Sequence, residues 1–106
     1  MTTIVNLTPH AITVVGHGTI PPSGDVARVS VRDIPASDVG GYPVSTQQTG
    51  DVTDLPGPVP GVYYLVSTMV RLALPDRMDL LSPGQLVRDD AGRPIGCQTL
   101  NRNGGA

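Results

Sequence analysis

Seven arginines carry the side-chain positive charge of this 106-residue sequence, and nine aspartates carry the carboxylates; there is no lysine and no glutamate. GC-rich coding explains the choice of both. The chemical consequence holds whatever its cause: each cation is a planar fork able to grip phosphate or carboxylate through two hydrogen bonds. Two arginines stand at junctions. Arg71 lies one turn beyond Ser67-Thr68, where a strand signal gives way to a helix signal. Free backbone N–H groups and two hydroxyls at such a start attract anions. Arg28 follows the rigid turn Pro21-Pro22-Ser23-Gly24 on a strand whose alternate face is apolar.

Other chemistry finds less support. His10, His17 and Cys97 are possible metal ligands, but there is no cysteine pair and no His-x3-His, so no metal site is expected. There is no Gly-x-Ser-x-Gly elbow, no Walker A loop and no Gly-x-Gly-x-x-Gly. Cys97 follows Gly96 on a strand-like segment and reads as a small buried hydrophobe. The aspartates fall mostly in turns, where they serve backbone geometry. Neither an enzyme nor a cofactor is expected.

These residues need elements to hold them. The length allows one domain, expected over residues 1–100 with a frayed tail over 101–106. The core is built without Phe or Trp, from β-branched and aliphatic residues that favour strands. Gly 13 and Pro 11 fit short strands separated by tight turns. Strands are expected at Thr3–Leu7, Ala11–Val15, Thr19–Ile20 and Val26–Val31, then at Tyr42–Thr46, Val62–Val66 and Leu80–Leu81. A last hairpin joins Leu86–Arg88 to Arg93–Cys97. Ser67 to Leu74 is either a short helix or a strand continuation, and Ser67 as an N-cap favours the helix. Residues 32–41 and 47–60 read as long connections, the first as the most mobile segment. The fold class is therefore mainly β, a β-rich α+β domain: a small curled sheet or barrel with one short helix near 67–74.

The net charge of −2 gives no general attraction to a nucleic-acid duplex. A single cysteine, no leader-like segment and no run of membrane-spanning length place the chain in a reducing cytoplasm, here that of an infected bacterial host.

That host follows from a resemblance. Ile4-Val5-Asn6-Leu7-Thr8-Pro9-His10-Ala11-Ile12, Ile20-Pro21-Pro22-Ser23-Gly24 and Ala27-Arg28-Val29 resemble a family of small proteins from tailed bacteriophages and prophages of GC-rich bacteria. Tyr64-Leu65-Val66-Ser67 and Val87-Arg88-Asp89 extend the likeness over nearly the whole chain. The family implies a setting and no settled activity. By analogy of class, the chain is similar to sponge-type anti-defence proteins, oligomers that sequester the cyclic or ADP-ribose-derived nucleotides of bacterial immunity. The resemblance carries over Asn6, Thr8, Pro9, His10, Pro22, Ser23, Gly24, Arg28 and Ser67. The expected ligand-binding set is Asn6, Thr8, His10, Ser23, Arg28, Ser67, Thr68 and Arg71, in a homodimer or larger oligomer that captures a small anionic nucleotide-like ligand. Alternatives are a virion or assembly component, and a small nucleotide hydrolase with His10 as base.

Overall fold

The computed structural model describes residues 2–104. Its chain order is β1 (Thr3–Asn6), β2 (Ile12–Val14), β3 (Gly18–Ile20), β4 (Arg28–Val39), β5 (Tyr42–Thr53) and β6 (Val62–Leu65). Then come α1 (Thr68–Ala73), β7 (Leu80–Pro83), β8 (Leu86–Arg88), β9 (Pro94–Cys97) and β10 (Leu100–Arg102). The fold is mainly β, in three sheets that do not close into a barrel. One sheet runs β1-β6-β7-β10, a second β3-β2-β9-β8, and β4 pairs only with β5.

The first sheet holds the core. β6 lies between β1 and β7, parallel to both. A strand buried on both faces reads as a continuous apolar run, and Val62-Tyr63-Tyr64-Leu65-Val66 is that run. Leu65, Val66, Val70 and Leu80 are almost fully buried. Each contributes about 1.5–3 kcal/mol through removal of its side chain from water. Parallel neighbours need a crossover, and α1 lies on the one between β6 and β7. The helix begins as expected: Ser67 is the N-cap, its Oγ accepting from the Val70 N–H at 3.3 Å. Pro75 follows the C-cap Leu74, where a proline disfavours continued helix.

Two expectations give way. Residues 32–41 and 47–53 are not loops but most of a long antiparallel ribbon, with Val39 paired to Tyr42 across Gly40-Gly41. Both glycines have positive φ, 59° and 83°, the backbone that a two-residue hairpin turn requires. The ribbon's base packs into the core through Val29 and Val52. Beyond it, residues 30 to 51 are exposed on both strands. A bulge marks the departure, Val29 opposing Val52 and Val31 opposing Thr49. A Cβ at Gly50 would collide with Ser30 Oγ there. The radius of gyration is 16.4 Å, against about 13 Å for a compact chain of this length.

The second correction is the C-terminus. Asn101 and Arg102 are not frayed; they pair with β7 as part of β10, and Asn103 is buried. Residues 105 and 106 of the expected tail lie outside the described residues.

Candidate functional site: a groove beside the start of the helix

Asn6, Thr8 and Ser23 come together, though not around open space. Asn6 is 1% exposed. Its Nδ2 donates to the carbonyls of His10 and Ile20 at 2.9 and 3.0 Å. Its Oδ1 accepts from the Thr8 N–H at 2.9 Å and the Thr8 hydroxyl at 2.6 Å. An asparagine amide offers two donors and two lone pairs, so the Asn6 side chain is fully engaged. The Ser23 hydroxyl donates to the Asn6 carbonyl at 2.7 Å. Asn-Leu-Thr-Pro-His and Pro-Pro-Ser-Gly are thus two halves of one staple, which ties the end of β1 to the turn before β2 and the segment after β3. Its hub is structural, and Asn6 and Ser23 are occupied by the chain.

Arg71 is likewise turned inward. Its Nε donates to Ser82 Oγ at 2.7 Å and its Nη1 to Asn103 Oδ1 at 3.1 Å. Asn103 Nδ2 lies within hydrogen-bond range of the carbonyls of Arg71, Leu74 and Arg77, at 2.9–3.1 Å. This network satisfies carbonyls that the helix end leaves orphaned. It ties α1 to the strand that precedes Asn103. The fork expected to hold a phosphate holds the fold instead. Thr68 is exposed at the start of a six-residue helix, too short to build a large macrodipole.

Arg28 differs. It is exposed at the first position of β4, and among the described residues its guanidinium makes no hydrogen bond or ion pair. It lines a groove of about 280 Å³ whose walls include Leu7, Val29 and Met69 and whose polar contributors are Thr8, Arg28 and Ser67. Three of the eight expected site residues therefore meet here, from three distant parts of the chain. The Thr8 hydroxyl has its proton engaged within the staple. Ser67 Oγ accepts from the helix, which leaves its proton to donate. The groove thus presents one fork and one hydroxyl over an apolar floor, an arrangement that suits an anionic group carried on an apolar or aromatic body.

His10 projects elsewhere. It is exposed at the rim of a larger groove of about 560 Å³, lined mainly by apolar residues such as Ile12, Leu86 and Ile95. Cys97 lies in the wall of that groove, buried, with its thiol 3.5 Å from the Thr13 carbonyl oxygen. His10 holds the staple through its backbone carbonyl rather than its ring.

Sequence reasoning missed two polar groups. One is Asn103. The other is the ion pair Arg77–Asp79, bidentate at 2.8 Å for both contacts, with Arg77 Nη2 also 3.0 Å from the Pro56 carbonyl. The hydrogen bond from Arg77 holds the Asp79 carboxyl below its usual range, against a smaller opposing effect of burial. The pair lies in the turn segment between α1 and β7, and an arginine two residues from an aspartate after a proline is the only sequence signal that marks it. Among the described residues, no group of three or more His, Cys or Asp side chains is placed to hold a metal ion. No helix there is long and apolar enough to cross a membrane. Comparison with protein-family models, curated proteins and solved structures finds no match to this chain.

Proposed function

We propose that this chain is a binding protein of phage origin that captures a small anionic, nucleotide-derived ligand and so withholds a signal of bacterial immunity. The observation that carries the reading is the groove in which the unpartnered Arg28 fork, the free Ser67 proton and an apolar floor converge. A phosphate would sit against Arg28 and Ser67, and a base or ribose would lie over Met69 and Val29. At about 280 Å³ the groove holds only part of a dinucleotide, because ligand pockets run from about 300 to 1,000 Å³. The rest of the ligand lies over the rim or against a second copy. Sequestration needs tight capture and no turnover. Around His10 the groove is apolar and the Cys97 thiol faces a carbonyl, an environment that favours binding over hydrolysis.

A second reading is an assembly component of the virion, and one observation favours it: the exposed β4–β5 ribbon, a shape suited to gripping another protein. Mass spectrometry separates the two. Protein purified from infected host cells is denatured and the released small molecules are identified. Release of an intact cyclic nucleotide or ADP-ribose derivative supports the sponge. No released nucleotide, together with co-purifying virion proteins, supports assembly.

A further inference from the structure

Arg28 does not stand alone on its strand. Alternate residues along a strand share a face, which sets Arg28, Ser30 and Arg32 on one side of β4 and Val29 and Val31 on the other. The bulge at the base of the ribbon leaves that alternation intact. Val29 and Val31 are two residues apart, while their partners Val52 and Thr49 are three apart, so the extra residue belongs to β5. The cross-strand neighbours agree. A Cβ at Gly50 would meet Ser30 Oγ, and Arg32 Nη2 lies 3.5 Å from Gln48 Oε1. Positions 48 and 50 therefore share the face of Ser30 and Arg32. Asp33 pairs with Gln47 and lies on the opposite face. Among the described residues neither Arg28 nor Arg32 pairs with a carboxylate, and the long contact with Gln48 is the only hydrogen bond of the Arg32 fork.

A hollow of about 410 Å³ opens beside them, lined by Ser30, Val31, Arg32, Gln48, Thr49 and Gly50. Position 50 has no side chain to fill it. Gly50 is not among the positive-φ glycines, so its backbone suits any residue; what a side chain would meet is the Ser30 hydroxyl. A strand glycine of this kind marks a close approach. The hollow follows the Arg28 groove along β4: that groove is lined as far as Val29, and this one begins at Ser30. We infer that the Arg32 fork and the Ser30 hydroxyl, beside the Gly50 hollow, hold a second phosphate of the ligand whose first phosphate lies on Arg28. The inference rests on the proposed capture of a nucleotide-derived ligand and narrows its class. At about 3.3 Å per residue, Arg28 and Arg32 are about 13 Å apart along the strand. The two phosphates of ADP-ribose share one bridging oxygen and form a single anionic centre, which occupies one fork. In a dinucleotide with two phosphates a ribose separates them, so the molecule engages both forks as the side chains lean along the strand. The ligand is thus a dinucleotide bearing two separated phosphates, cyclic or linear.

Calorimetric titration of the whole chain tests it, with four probes: cyclic AMP, ADP-ribose, cyclic di-AMP and a linear diadenylate with a terminal phosphate. Moderate salt is used, where exposed charges more than a Debye length apart are largely screened. The parent should bind one of the two dinucleotides at least about tenfold more tightly than cyclic AMP, and the tighter of the two identifies the source. Arg32→Gln should lose that advantage and leave cyclic AMP and ADP-ribose unchanged, with an unaltered far-UV circular dichroism spectrum because the position is exposed. Ser30→Ala combined with Gly50→Ala should lose it too. With Oγ gone, the nearest side-chain atom to the new methyl is the Cβ of residue 30, at 3.5 Å, so the hollow is filled without a clash. Arg28→Lys, by contrast, should weaken every probe. A parent that binds cyclic AMP and both dinucleotides equally overturns the second subsite and leaves the Arg28 groove standing. So does a dinucleotide advantage that survives in either variant, or an Arg32→Gln loss shared by all four probes. A parent that binds none of the four removes the capture reading itself, and this inference with it.

Discussion

Arg28 and Arg71 occupy similar places in the sequence and opposite places in the molecule. Each follows a rigid or capped junction, and each has the geometry to grip a phosphate. Arg71 points into the body, where Ser82 and Asn103 accept its hydrogen bonds. Arg28 stands at a groove rim with no partner among the described residues. What separates them is the residue across from each fork, contributed by strands far away in sequence. The body of the protein uses its polar side chains to join strand ends, and of these two forks it is Arg28, at the base of the ribbon, that is left free beside a groove.

The comparison breaks most visibly in the body. Asn6→Ala removes the centre of the staple and strands the buried Thr8 N–H and the part-buried Ile20 carbonyl, while the His10 carbonyl keeps the Thr8 hydroxyl. Polar groups left without partners cost about 1–3 kcal/mol each, so a loss of about 2 kcal/mol or more is expected, measured by urea unfolding. Loss of under 1 kcal/mol would show that water replaces the asparagine. Arg71→Lys should follow. An ammonium cannot span Ser82 and Asn103 as the fork does, and a loss of about 1–2 kcal/mol is expected. Arg28→Lys should leave stability within about 0.5 kcal/mol, as surface changes do. An equal loss in both variants would erase the distinction between the two arginines.

The sequence shows the strands that bury a face and hides those that do not. β6 is legible because Val62-Tyr63-Tyr64-Leu65-Val66 is a continuous apolar run, the pattern of a strand covered on both faces. The ribbon beyond Val31 is not, because its apolar stripe faces no core of its own chain and Pro35 argues against a strand. Gly40-Gly41 was nonetheless a readable hairpin signal, two positive-φ residues between runs that pair. Asn103 was invisible for another reason: its three carbonyl partners lie 26 to 32 positions away. The Asn-Leu-Thr-Pro-His pattern was visible as a unit, but spacing alone does not show whether its donors face a ligand or one another. Here Asn6 and Thr8 face one another and the His10 carbonyl.

Two smaller effects sharpen the picture. His10→Ala should leave stability within about 0.5 kcal/mol, since its backbone carbonyl performs the structural role. It should also leave capture at the Arg28 groove unchanged, because the ring borders the other groove; weakened capture would move the site there. The smallest effect is acid sensitivity. Asp79 has a folded-state pKa below its unfolded value of 3.8. Its contribution is therefore present above that unfolded pKa and fades as pH falls through the lower, folded one. Asp79→Asn should remove a small part of the acid-induced loss of stability below about pH 4. Identical acid profiles would show that the pair adds nothing, a common result for partly exposed ion pairs.

The most direct test of the ligand groove is calorimetric titration of the parent, Arg28→Lys and Arg71→Lys with cyclic dinucleotides and ADP-ribose derivatives, at low and moderate salt and at a temperature where all three are folded. Arg28→Lys keeps the charge and loses the fork, so its affinity should fall by about tenfold or more, equivalent to at least about 1.4 kcal/mol. Arg71→Lys should bind like the parent despite its lower stability. Unchanged affinity in Arg28→Lys, loss in Arg71→Lys alone, or no affinity of the parent for any phosphate-bearing ligand would contradict the groove as the site and leave the assembly reading ahead.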